Sequence, residues 1–300
     1  MIIHGNGANM HQLKDQHADM VITSPPYFSD ENRFEYFERT AFDKKQYSQL
    51  FQHSTLNGID FLSSPFSIEA VDFLEKINVT SYKVPSGEVT NLALLERLAD
   101  TKKTIYLSSG MSNWKEIEQA MEVLHSDKTI LMQCSSVYPC PPKKVGLNVI
   151  REMKDKFDVE VGFSDHTDSF YAGIMAIGFG ATVIEKHLTF SKKMYGSDAL
   201  NAMEPEDFKN FTKELRDAFQ AMEHPVDKDN LEDYIEMKKI FEKSIYLKKD
   251  IKKGEKITLD HLSFLKPGDG ISSSKYKEII GRVTKRNLKK GSQLNESEIK

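Results

Sequence analysis

The stretch Val159–His187 reads VEVGFSDHTDSFYAGIMAIGFGATVIEKH. It opens on a short apolar run, VEVGFS, and closes on a second, TVIEKH. Between them YAGIMAIGFG repeats its apolar residues at three- and four-residue spacing. Short apolar runs of this kind read as buried strands, and the spacing between them is that of one buried helix face. A strand, a helix and a strand in that order make parallel neighbours in one sheet. A histidine stands at the end of each run: His166 after the first, His187 closing the second.

The same alternation extends upstream through MIIH, DMVIT, IDFLSS (Ile59–Ser64), SYKVPS (Ser81–Ser86), TIYLSS (Thr104–Ser109) and TILMQC (Thr129–Cys134). Segments such as IEAVDFLEKI, NLALLERLAD and NWKEIEQAMEVL lie between the runs and carry helical spacing. Eight strand–helix units imply a closed (β/α)8 TIM barrel, an α/β fold whose strands are buried on both faces and so read as nearly continuous apolar runs. An open doubly wound sheet is the alternative, but no G-x-G-x-x-G turn follows the first run. The barrel is expected to end near Ala221, giving a first domain over 1–222. The charged segment Glu223–Lys239 reads as a linker helix, within a linker at 223–240. Residues 241–300 are rich in Lys and Gly, with turn signals at KKGEK, KPGDG and KKGSQ. They read as a small β-rich domain, and the KKG turns at Lys252–Gly254 and Lys289–Gly291 hint at an internal duplication.

With 300 residues, 39% hydrophobic and 29% charged, the chain has the composition of a globular protein with a sizeable core. The net charge of -4 argues against a nucleic-acid partner, whose phosphates call for a basic face. Two cysteines, Cys134 and Cys140, are too few for a disulfide framework or a four-cysteine zinc site. No apolar run reaches the length of a membrane span. A cytoplasmic location, with no membrane partner, is the expectation.

In a barrel of this kind function gathers where the strands run out into their loops. The strand ends here read Lys83-Val84-Pro85-Ser86-Gly87-Glu88, Ser108-Ser109-Gly110-Met111, Cys134-Ser135-Ser136-Val137-Tyr138, Ser164-Asp165-His166-Thr167 and Glu185-Lys186-His187. Small hydroxyls, glycines and a lysine at successive ends form an anion-binding rim. His166 and His187 end adjacent strands and suit a divalent metal with open positions, with Asp165 and Glu185 beside them as supporting carboxylates. Taken one at a time, each of these residues also has a plain structural reading, as a loop serine or a hydrogen-bonded core histidine.

One stretch points elsewhere. ADMVITSPPYF (Ala18–Phe28) resembles the catalytic loop of amino-methylating DNA methyltransferases. No glycine motif for S-adenosylmethionine follows it, and a fragment that short cannot form a cofactor pocket.

The strand-end motifs as a set resemble the N-acetylneuraminate (sialic acid) synthase family. They are YKVPSGEVTNLALL, LSSGMSNWKEIEQA, LMQCSSVYPCPPKKVGLNVI, VGFSDHT and VIEKHLTF followed by GSDALNAMEPEDF. IYLKKDIKKGEKIT, LKPGDGIS and IIGRVTKRNLKKG resemble that family's C-terminal antifreeze-like (SAF) domain. The resemblance runs from about Arg33 to the end. It implies a transferase that condenses phosphoenolpyruvate with an N-acetylated hexose, such as N-acetylmannosamine, to give a nonulosonic acid and phosphate. It further implies that Lys83, Ser86, Ser108, Ser136, Tyr138 and Ser164 bind phosphoenolpyruvate, with Lys83 and Glu88 as the catalytic candidates. His166 and His187 would hold Mn2+, and Glu88 and Asp198 would hold sugar hydroxyls. A domain-swapped homodimer is implied too, with Lys266 standing where the family has an arginine on the sugar's acetamido group. Ala199 replaces a family histidine and Ser136 an asparagine that some members carry. These changes point to a different sugar, such as a precursor of legionaminic or pseudaminic acid. The family's acidic motif on the first strand and its K-x-Q motif on the second are expected near His4–Asn6 and Ile22–Ser24, where other residues stand. A fusion or misjoined reading frame would explain this atypical stretch over 1–30, and a ligand-binding remnant without turnover is the alternative function.

Overall fold

A computed structural model describes residues 2–4, 20–23, 41–194 and 198–300, the first two segments as backbone alone. The chain divides into two compact units, Met1–Pro225 and Val226–Lys300.

The first unit is built on a curled parallel sheet. Its six side-chain-bearing strands are β3 (Asp60–Ser63), β4 (Ser81–Val84), β5 (Thr104–Ser108), β6 (Thr129–Cys134), β7 (Val161–Asp165) and β8 (Val183–His187), paired in that order. At the two edges the backbone of β1 (Ile2–His4) pairs with β8 and that of β2 (Met20–Thr23) with β3. Helices Ile68–Lys76, Leu92–Ala99, Trp114–Val123, Asn148–Phe157 and Tyr171–Gly178 connect successive strands from β3 to β8. Most begin on a side-chain cap: Ser67, Asn91 and Asn113 each accept a backbone N–H of the first turn, which satisfies a donor the helix leaves open.

Alternation along each strand sorts the side chains into two layers. Phe61, Tyr82, Val84, Leu107, Leu131, Phe163 and Ile184 pack outward against the helices in the main core. Leu62, Tyr106, Ile130 and Met132 fill the concave side, with Val183 against them. Polar residues take over the concave side toward the carboxyl ends of the strands, where Lys83, Ser108, Ser164, Glu185 and His187 are all buried.

The helix Pro205–Glu223 packs on this unit through Phe208, Phe211 and Leu215. The expected linker helix over Glu223–Lys239 does not form. The helix stops at Glu223, and regular structure resumes only in the turn Glu232–Tyr234 and the helix Ile235–Phe241. Pro225 cannot supply the N–H that a continuing helix needs.

In the second unit, β9 (Ser244–Leu247) pairs antiparallel with β10 (Leu262–Leu265). The hint of duplication becomes a matched pair of segments, Asp250–Leu262 and Asn287–Ile299. Ile251 and Leu288 exchange both backbone hydrogen bonds, at 2.9 and 2.8 Å. Gly254 and Gly291 take left-handed φ values of 83° and 82°, which favour glycine in each KKG turn. Each turn is capped from the other segment: Asn287 Oδ1 accepts Lys253 N–H, and Asp250 Oδ1 accepts Lys290 N–H, both at 2.8 Å. Thr258 and Asn295 then open equivalent short helical turns with capping boxes.

Candidate functional site

β4 reads Ser81-Tyr82-Lys83-Val84, and because Tyr82 and Val84 pack outward, Lys83 projects to the concave side. Its side chain is 2% exposed. Nζ donates to Ser108 Oγ at the end of β5, at 2.7 Å, and lies 3.5 Å from Glu185 Oε2 on β8. The same carboxylate oxygen accepts the hydroxyl of Ser164 on β7. Ser108, Lys83, Glu185 and Ser164 thus form one polar chain across the inside of the sheet. Desolvating two such ions costs several kcal/mol each, by order of magnitude, so a buried pair is poor evidence of stabilisation and good evidence of a local task.

One step further along β7 and β8, His166 and His187 face each other with ring centroids 5.2 Å apart. His166 Nδ1 sits 2.9 Å from the Ser135 carbonyl oxygen, which holds the ring by that nitrogen and leaves Nε2 for a ligand. His187 Nδ1 lies 3.9 Å from Asp198 Oδ2. The ring of Tyr138 lies over His166, tilted by 36° with centroids 4.1 Å apart, and meets His187 edge-on at 6.0 Å. Burial pushes the His166 imidazole down, but Cys134 Sγ, 3.8 Å away, and the Ser135 carbonyl outweigh it and leave the ring above its usual value. Burial likewise pushes the Cys134 thiol up, and His166 with Lys83 more than offsets this.

Ser86 and Ser136 converge on Gly110, next to Cys134. Gly110 N–H donates to Ser86 Oγ at 3.0 Å, and Ser136 Oγ approaches the same glycine. Glu88 is half-buried in the turn Ser86–Glu88, where its carboxylate accepts the Asn91 amide at 2.8 Å. Lys266 belongs to the second unit and is exposed there, with Nζ 4.7 Å from the centre of the Phe241 ring.

The two carboxylates expected beside the histidines part company. Asp165 faces the other side of the sheet and pairs with Lys186 at 2.9 Å, both side chains 0% exposed. Burial pushes the Lys186 amine below its usual value, against the pull of Asp165. Glu185 joins Lys83 and Ser164 instead. Its place follows from the two-residue period of a strand, which sets Glu185 and His187 on one face and Lys186 on the other. Ser64, just past β3, is a further residue that the sequence reading leaves out; its buried hydroxyl has no hydrogen-bond partner among the described residues.

No group of three or more His, Cys, Asp or Glu side chains among the described residues forms a complete metal cage. The two imidazoles do fit a divalent ion that takes its remaining ligands from water and substrate. Residues 24–27, the S-P-P-Y stretch, and Asn6 lie outside the described residues, as do Tyr195 to Ser197. His4 and Ile22 are described by backbone only.

The NeuB family model matches residues 8–227, and the SAF domain model matches residues 242–300. The chain belongs to the NeuB family. The family match begins ahead of Arg33 and takes in the S-P-P-Y stretch. Among curated relatives, the N,N'-diacetyllegionaminic acid synthase of Campylobacter jejuni is 36% identical over 89% of this chain and 81% of its own length. The N-acetylneuraminate-9-phosphate synthase of Homo sapiens is 30% identical over 76% of this chain and 64% of its own. Among solved structures, the N-acetylneuraminic acid synthetase of Leptospira borgpetersenii, in complex with citrate, superposes with a TM-score of 0.69 at 25% identity, covering 79% of this chain and 90% of that one. Relatives of this NeuB-family chain are therefore synthases of nonulosonic acids. No helix among the described residues is long and apolar enough to cross a membrane.

Proposed function

We propose that this NeuB-family chain is a phosphoenolpyruvate-dependent synthase that joins the three-carbon unit to an N-acetylated hexose. The observation that carries the reading is the meeting of a buried lysine–carboxylate–serine chain with a histidine pair at the carboxyl ends of one parallel sheet. In this reading the sheet is a complete (β/α)8 barrel, with β1 and β2 filling the gap between β8 and β3, and the protein works as a cytoplasmic homodimer.

The reaction forms a bond between the methylene carbon of phosphoenolpyruvate and the aldehyde carbon of the sugar. One water is consumed and inorganic phosphate leaves. Lys83 sets a fixed positive charge on the phosphoenolpyruvate anion, held in place by Ser108 and Glu185. Ser86, Ser136 and Ser164 place hydroxyls around that anion, and Tyr138 closes over the histidines. His166 and His187 would hold a divalent ion, most simply Mn2+, which supplies Lewis-acid polarisation of the aldehyde oxygen. In this reading Asp198, beside His187, and Glu88, in the turn after β4, take sugar hydroxyls.

The departures at Ala199, Ser136 and Lys266, with the 36% identity to a legionaminic acid synthase, favour a di-N-acetylated hexose over N-acetylmannosamine. The test is phosphate release from phosphoenolpyruvate by the purified protein with Mn2+, with each sugar offered in turn. Release that needs both metal and one of these sugars is the expected result. Binding of phosphoenolpyruvate without release, by a folded protein offered every such sugar, would sink the synthase reading and leave a ligand-binding remnant.

A further inference from the structure

Gly110 follows the end of β5, and its φ lies outside the left-handed region, so its backbone does not demand a glycine. The space around it does. A β-carbon at Gly110 would stand 2.5 Å from Ser136 Oγ, 2.8 Å from Ser86 Oγ and 2.9 Å from Cys134 Sγ. Side chains from the ends of β4 and β6 therefore close onto one α-carbon at the end of the strand between them. The backbone N–H of Gly110 donates to Ser86 Oγ at 3.0 Å and fixes the direction of that hydroxyl. Ser86 also reaches Cys134 Sγ, at 3.7 Å.

We propose that Gly110 is a positioning residue, one whose missing side chain sets the spacing and aim of the Ser86 and Ser136 hydroxyls for the phosphate of phosphoenolpyruvate. This inference rests on the synthase reading above. The three atoms crowding Gly110 are ends of side chains that turn about a single torsion. An added methyl group is absorbed by rotating them aside, which spares the fold and undoes the arrangement. A hydroxyl turned away loses its hydrogen bond to an anionic oxygen, the stronger kind of hydrogen bond.

The test titrates phosphoenolpyruvate and inorganic phosphate into the full chain by calorimetry, for wild type, Gly110→Ala and Met111→Ala. Met111 is 66% exposed and serves as the neighbouring control. Gly110→Ala is expected to weaken both ligands by about tenfold to a hundredfold, the worth of one or two charge-assisted hydrogen bonds. Its cooperative thermal transition stays as in wild type, and Met111→Ala binds normally. In a chain already carrying Ser86→Ala and Ser136→Ala, the crowded oxygens are gone, and adding Gly110→Ala should change affinity by less than about twofold. Undiminished affinity in Gly110→Ala, or a loss that simply adds to the serine changes, overturns the proposal. So does a Gly110→Ala chain that no longer folds while the triple variant folds no better. A wild type that binds neither ligand removes the synthase reading itself, an outcome distinct from a failure at Gly110 alone.

Discussion

His187→Ala is expected to lower metal-dependent phosphate release by about a thousandfold, since a Lewis acid at the reacting oxygen is worth several kcal/mol and each 1.4 kcal/mol is a factor of ten. Among the described residues His166 and His187 are the imidazoles that face each other at the strand ends, so loss of His187 removes one member of that pair from the ion. The protein should stay folded, because the ring sits at the polar rim and the core clusters do not use it. Weaker Mn2+ binding, read by electron paramagnetic resonance, should accompany the loss of turnover. His166→Ala is expected to abolish turnover as well, and also to release the Cys134 and Ser135 contacts that hold its ring. A His187→Ala enzyme with wild-type metal dependence would show that the pair holds no ion.

Lys83→Met is expected to be costlier to the fold. It strands the Glu185 carboxylate, itself 2% exposed, without its cation. Breaking a buried pair in this way destabilises by about 3–5 kcal/mol, whereas replacing both members by apolar side chains is often neutral. The double variant Lys83→Met with Glu185→Leu should therefore recover most of the unfolding free energy measured in urea. It should not recover phosphoenolpyruvate binding, because the polar chain from Ser108 to Ser164 has then lost Lys83, its cation. Stability recovered together with binding would remove Lys83 from the site. Stability that fails to recover would mean that the pair is held for packing.

Much of this arrangement can be read from the chain alone, and the reason is local. The strands from β3 to β8 are short apolar runs bounded by polar turns, and the helices between them carry one apolar face each. His166 and His187 announce themselves because each closes a run. Glu185 is expected beside the histidines, but its pairing with Lys83 is not legible, since Lys83 is far away in sequence and opposite it across the curled sheet. Asp165 looked like a supporting carboxylate by its nearness to His166, yet strand alternation turns it to the opposite face and onto Lys186. Gly110 is invisible for another reason: its importance lies in how closely two neighbouring strand ends approach, a distance that no residue pattern encodes. The linker helix was misread because charged composition carried more weight than the break that Pro225 imposes.

The small unit poses a separate question of ancestry. Each of its KKG turns is satisfied by a residue of the opposite segment, and the two segments meet through a reciprocal pair of backbone bonds. Each turn also closes on itself, through Glu255 N–H to the Lys252 carbonyl and Ser292 N–H to the Lys289 carbonyl, and the opposite segment adds the cap on its second lysine. The arrangement is that of a symmetric peptide pair joined into one chain, as gene duplication and fusion of a self-associating peptide would produce. Such a unit gains or loses its order as a whole, and a substitution in one turn is felt in its twin.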